Sequence, residues 1–343
     1  MIECDASRGN VKIVRQQPPS VRQLHETSPA STIISFVELD RELLSLTLRN
    51  GKVTSANHGL VRPILRELSS VKSALTILAD DRSGPAARAD AVLVARHSAA
   101  TLDHVLLSAL PDSNPLVIIP PGWMHPLPWA MLPSCHGRVI TVAPSALSWW
   151  RARQRTSRPP DLIAIAGTGV RLASTEIAAV ASSYSTSQLL QDNEATIQNV
   201  LGALGRFEVA HVVAHGTFRS DNPLFSALEL VDGPLTVFEL DYVATPPATV
   251  VLSACNSALS ATRPGDELMG LCAALLAAGT STLVAAVGPV PETSRVEQLM
   301  VSLHRGIVAG ASPSTSLASA YSAFDPNDPE HFALRSFVPL GGG

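Results

Sequence analysis

The chain has 343 residues, 46% of them hydrophobic and 16% charged, with 25 basic and 29 acidic residues giving a formal net charge of −4. That apolar content supplies a large core and excludes intrinsic disorder, which needs low hydrophobicity with high net charge. The balanced charge excludes a bulk electrostatic pull toward nucleic acid or an anionic membrane, so neither is expected as a direct partner.

The four cysteines, Cys4, Cys135, Cys255 and Cys272, have no C-x-x-C spacing and no paired ligand blocks. Zinc and dithiol redox motifs are therefore not expected, and four cysteines so widely spread do not make a disulfide framework. The first twenty residues lack the apolar stretch of a signal peptide. The long low-charge segment from Glu267 to Val290 is broken at 278–282 by AGTST, which suits a buried helix and strand better than a membrane span. A reduced, cytoplasmic protein without metal or cofactor is expected.

In chain order, residues 1–30 show no periodicity and read as a flexible extension. A meander follows: STIISFVEL (31–39), ELLSLTLRN (42–50), a turn at Asn50-Gly51 and a return strand from Lys52. Helical patterning covers 60–80 and 86–109. LVIIP (116–120) is a continuous apolar run of the kind that forms a strand buried on both faces. The arginine-rich stretch WWRARQRTSRPP (149–160) marks the boundary between two halves, 31–157 and 158–343.

The second half alternates more regularly. DLIAIAG (161–167) leads into a helix over 174–185 with Ser174 as a cap candidate. SQLLQ (187–191) is a short strand, and Asp192 or Asn193 can cap a helix near 195–205. EVAHVVAH (208–215) and ATVVLSA (248–254) are buried strands, with a hairpin turn at Asp232-Gly233 between them. GDELMGLCAALLAAG (265–279) is helical and ends at Gly279, STLVAAV (281–287) is a strand, and helices near 292–309 and 313–323 follow. Alternating units of this length predict an α/β fold, a mostly parallel sheet covered by helices on both faces.

In such sheets chemistry gathers beyond the carboxyl ends of the strands. His215 ends one strand and Cys255 directly follows another, so adjacent strands would bring an imidazole and a thiol to one edge. A free thiol titrates near about 8.5, and a neighbouring histidine either lowers that value or takes the proton. The thiolate attacks a carbonyl carbon, and the backbone N–H groups of Gly216 and Cys255 are candidates to hold the resulting oxyanion. His211, four residues before His215, faces the same side of the strand and reads as a hydrogen-bonded core residue. A metal reading of His211, His215 and Cys255 lacks a further ligand. Cys272 lies on an apolar helix face, and Cys135-His136 cannot make a dyad because adjacent side chains diverge. G-x-S-x-G, Walker and H-E-x-x-H motifs are absent.

Several segments resemble the CHAT domain, a caspase- and separase-related group of cysteine peptidases. They are HVVAHGTFRSDNPLFSALEL (211–230), VVLSACNSA (251–259) and GDELMGLCAALLAAGTSTLVAAV (265–287). Upstream, LVIIPPGWMHPLPWAMLP (116–133) resembles the family's P-D-G-x-L-x-x-L-P-W/F-x-A-L segment, and APSALSWWRAR (143–153) and NEATIQNVL (193–201) resemble further family stretches. The resemblance extends from the meander at 36–53 to the terminal SFVPLGG (336–342).

It implies a caspase-like fold in which 31–157 is an N-terminal pseudo-protease half and 158–343 the active half. His215 would be the general base and Cys255 the nucleophile of a cysteine endopeptidase acting through a thioester. Ser253-Ala254-Cys255-Asn256-Ser257 is not the caspase Q-A-C-[RQG]-G signature, so aspartate specificity does not carry over. Separase-like relatives take basic residues in an acidic pocket, for which Asp221, Asp241 and Asp266 are candidates; Asp266 reads equally as a helix N-cap.

The resemblance also implies a regulated peptidase of bacterial defence or cell death. It would act on a protein substrate under a separate sensor or activator subunit from the same operon, with 151–159 and 216–223 as places for a switch. The alternatives are a catalytically silent scaffold of the same fold and a different Cys–His acyl-transfer enzyme such as an amidase.

Overall fold

The computed structural model describes residues 2–5, 10–13, 18–110, 115–156, 158–217, 227–240, 243, 245–253, 271–325 and 328–343. Strands β1 (Ile2–Asp5) and β2 (Asn10–Ile13) form an antiparallel pair of their own. Helix α1 (Val21–Thr27) lies within residues 1–30, where the sequence shows no periodicity. It forms because Ser20 and Gln23 close a capping box and Leu24 packs beside Ile33 and Trp149.

The meander consists of β3 (Thr32–Leu39), β4 (Glu42–Arg49) and β5 (Lys52–Leu60). Asn50 and Gly51, both at positive φ (51° and 73°), make the tight turn between β4 and β5. Two long helices, α2 (Val61–Ala79) and α3 (Pro85–Leu107), precede β6 (Leu116–Ile119), β7 (Ile140–Val142) and α4 (Ala146–Ala152).

Beyond the arginine-rich stretch come β8 (Leu162–Ala166), α5 (Ala173–Ala181), β9 (Ser187–Leu190), α6 (Ile197–Leu204) and β10 (Val209–Val213). A small antiparallel sheet is built from β11 (Gly216–Thr217), β12 (Ala227–Leu230) and β13 (Gly233–Thr236), and α7 (Val237–Leu240) follows it. The rest is β14 (Thr249–Leu252), α8 (Leu271–Ala278), β15 (Thr282–Ala286), α9 (Ser294–Val308), α10 (Pro313–Ser322), α11 (Pro329–Leu334) and β16 (Phe337–Gly341).

Two helix starts differ from the sequence reading. Helix α5 begins at Ala173, because the Glu176 N–H already reaches the Leu172 carbonyl, which leaves Ser174 inside the helix rather than capping it. Asp192 and Asn193 are spent in a single 3-10 turn with Asp192 at φ 50°, and Thr196 caps α6 by accepting from the Asn199 N–H.

Eleven strands form one sheet in the order β5-β4-β3-β6-β7-β16-β15-β14-β10-β8-β9. From β15 to β9 every pairing is parallel, as are β3–β6–β7 and β7–β16. The exceptions are the meander and β16, which runs antiparallel to β15. Alternate residues feed opposite layers: Ile163, Ile165, Val212 and Leu252 enter one core with α2, α3 and α6. Leu162, Ala164, Val213 and Val251 enter the other with α5, α9 and α10. Among the described residues no helix is long and apolar enough to cross a membrane.

Candidate active site

Strand β10 lies between β8 and β14, all three parallel. Val212 stands opposite Leu252, and the Ser253 N–H continues the ladder onto the Val212 carbonyl at 2.9 Å. On the other side the Gly167 N–H reaches the Val213 carbonyl at 2.8 Å. His215 therefore leaves the sheet at the same carboxyl edge as Ser253. Cys255, two residues further on, lies outside the described residues, as do Asp221, Asp241 and Asp266.

The loop after β8 holds His215. Gly167 passes so close to Ala214 and β12 that a Cβ there would sit 2.4 Å from the Glu229 carbonyl oxygen. Gly169, at φ +80°, turns its carbonyl to the imidazole, and His215 Nε2 donates to it at 3.1 Å. A carbonyl oxygen can only accept, so Nε2 carries a proton, which makes Nδ1 the acceptor of the neutral ring.

The His215 carbonyl in turn accepts from the Glu229 N–H at 2.9 Å. Gly216 pairs with Leu228 one step on, and antiparallel ladders alternate bonded and non-bonded pairs. The Gly216 N–H consequently faces away from β12, on the edge strand of the small sheet.

His215 is half-buried and shares a cleft with Val170, Leu172, Glu176, Ser253 and Glu292. Beneath it runs a buried chain that the sequence reading did not find. Hydrogen bonds link Tyr184 Oη with His304 Nδ1 (2.7 Å), His304 Nε2 with His211 Nδ1 (3.1 Å), and His211 Nε2 with Glu176 Oε1 (3.1 Å). Burial and the neighbouring His211 hold His304 well below the usual histidine range, and burial pushes the Tyr184 hydroxyl up. His211 is fully buried, as its apolar strand suggests. Its partner lies 93 residues away, a pairing that only the α9–β10 packing creates.

Cys135 and Cys272 are buried, and burial pushes each thiol up to about 12, so neither is a nucleophile near neutral pH. Among the described residues no group of three or more His, Cys, Asp or Glu is arranged to hold a metal ion.

The CHAT domain family matches residues 96–335, more than half of the chain. No curated protein matches it. Among solved structures, two crystal structures of the Saccharomyces cerevisiae separase–securin complex cover 94% of this chain at 11% identity, with TM-scores of 0.70 and 0.68. The likeness spans only 30% and 31% of the chains matched there, and at that identity it speaks for the fold alone. Strand order, paired layers and family match agree: the chain belongs to the CHAT domain family, a caspase-like protease family, and has the caspase-like fold of separase.

Proposed function

We propose that the protein is a cysteine endopeptidase in which Cys255 is the nucleophile and His215 the general base. The observation that carries this reading is the parallel pairing of β10 with β14, which brings His215 and Ser253, two residues before Cys255, to one edge of the sheet. With Nε2 tied to the Gly169 carbonyl, Nδ1 is the basic atom. It takes the Cys255 thiol proton, and the thiolate adds to the substrate carbonyl carbon. The N–H groups of Gly216 and Cys255 receive the oxyanion. The C–N bond then breaks, His215 gives the proton to the leaving amine, and a thioester remains. Water, deprotonated at the same nitrogen, hydrolyses the thioester and restores the thiol.

In this reading residues 158–343 are the protease half and 31–157 the pseudo-protease half, joined where β7 meets β16. Asp221, Asp241 and Asp266 are the pocket candidates. The substrate is a protein, and a sensor or activator subunit from the same operon switches the enzyme within a cytoplasmic bacterial defence or cell-death system.

The test is mass-spectrometric mapping of new protein N-termini after co-expression with genomic neighbours, as wild type and as Cys255→Ala. A cleavage found only with wild type, and lost again in His215→Ala, supports the dyad. Cleavage that persists in Cys255→Ala refutes it. Absence of any cleavage, with Cys255 no more reactive toward iodoacetamide than Cys4, favours the silent scaffold.

A further inference from the structure

The buried chain under His215 ends in a carboxylate that the proposed peptidase steps do not use. Glu176 sits in the first turn of α5 and pairs Oε1 with His211, which His304 and Tyr184 hold from behind. Its other oxygen, Oε2, has no hydrogen-bond partner among the described residues. Ser253, just after β14, is in the same state. Its N–H continues the ladder, while its hydroxyl bonds to no described group. Glu176 is 4% and Ser253 7% exposed, yet neither free oxygen is sealed from the surface. Both residues line the cleft that His215 lines.

That cleft has room for little, with a free volume of about 30 Å³. A water needs roughly 10–15 Å³ and two to four polar partners, so about one or two waters fill it. Val170, Leu172 and Val296 are among its apolar walls. A carboxylate oxygen and a hydroxyl, both unpartnered and opening onto so small a space beside an imidazole, suit a bound water. They offer it one strong acceptor, one donor and a base for its remaining proton.

We infer that this cleft holds the water that hydrolyses the thioester, with Glu176 and Ser253 as its ligands and so as catalytic residues of that step. The role presupposes Cys255 and His215 acting as proposed. Glu176 Oε2 accepts one proton of the water, and the Ser253 hydroxyl donates to one of its lone pairs. The second proton is left for His215 Nδ1, and the second lone pair for the thioester carbon. The water oxygen bonds to that carbon as the proton passes to His215. The C–S bond then breaks, His215 returns the proton to the Cys255 sulfur, and the product leaves as its acid. Glu176 is not the base: it fixes the water, and the chain through His211, His304 and Tyr184 fixes Glu176.

The test uses p-nitrophenyl acetate, a small active ester, on the full chain. Quenched intact-mass measurements follow the acetyl group as it is gained and lost, with Cys255→Ala as background. In Glu176→Gln the amide oxygen can still pair with His211. Cys255 should be acetylated there as fast as in wild type, and the acetyl group should come off about tenfold more slowly or worse. Ser253→Ala, the second variant, should slow the same loss by about threefold or more. Hydroxylamine attacks without giving up a proton first, so it should remove the acetyl group equally fast from all three proteins. Acetyl loss within about twofold of wild type in both variants, or acetylation slowed as much as loss, overturns the assignment and leaves the dyad standing. Hydroxylamine release slowed as much as hydrolysis overturns it likewise. Acetylation no different in Cys255→Ala overturns the peptidase reading, and this assignment with it.

Discussion

Acidification from about pH 7.5 to about pH 5.5 should destabilise this fold through His304. The imidazole is fully buried, its two nitrogens are committed to Tyr184 and His211, and its pKa lies well below 6.5. An unfolded chain takes up a proton there near 6.5, whereas the folded chain does not. The unfolded state therefore binds more protons as pH falls, and stability that is complete above about 6.5 drains away below it. Over that window the unfolded histidine goes from about one-eleventh to about ten-elevenths protonated, worth about 1.4 kcal/mol from this residue alone. Urea unfolding at both pH values measures it, with His304→Gln as the reference. Glutamine keeps one donor and one acceptor but does not titrate, so its pH-dependent loss should be smaller by that amount. The comparison also removes other groups, such as His136, whose pKa burial lowers in the same direction. Equal pH-dependent losses in the two proteins, or a protonated His304 ring seen by NMR near pH 6, would refute the reasoning.

Iodoacetamide at neutral pH should leave Cys135 and Cys272 unlabelled in the folded protein, since thiols near 12 are thiolate in only about one molecule in a hundred thousand. Peptide mapping that finds either modified before unfolding contradicts their burial. Gly169→Ala should cost about 1–2 kcal/mol, because the residue sits at φ +80°. The added Cβ, 3.0 Å from His215 Cδ2, should also displace the imidazole and lower peptidase turnover; unchanged turnover counts against the Gly169–His215 contact. Trp129→Ala removes a fully buried ring stacked on Phe36 (centroids 6.1 Å apart) and should cost about 3–5 kcal/mol in urea unfolding. A loss below about 1 kcal/mol would mean that the core there collapses freely.

The central strands were readable because each is buried on both faces, which leaves runs such as LIAIA, VAHVV and TVVL with no polar alternation to disguise them. The carboxyl edge carrying His215 was readable for the same reason. Less was legible where the decisive contact is remote or belongs to the backbone. Ser174 has the right side chain for a cap, but the backbone turn through Leu172 starts the helix first. Helix α1 has too little apolar pattern to announce itself and depends on Leu24 meeting Trp149. The Gly169 carbonyl that orients His215 has no side-chain signature at all, and the His211–His304 pair joins elements that only the finished packing brings together.

Strand β16 lies between β7 and β15, so it is the piece through which the first five strands of the sheet order meet the last five. Until residues 337–341 have left the ribosome, a nascent chain holds two part-sheets, each with an open edge where β16 will insert. Open edges are templates for pairing with other chains. Synthesis should thus pass through an interval of chaperone dependence that closes when this one short strand is made. An early stop codon before Phe337 should yield insoluble product even though every residue at the His215 edge has already been made.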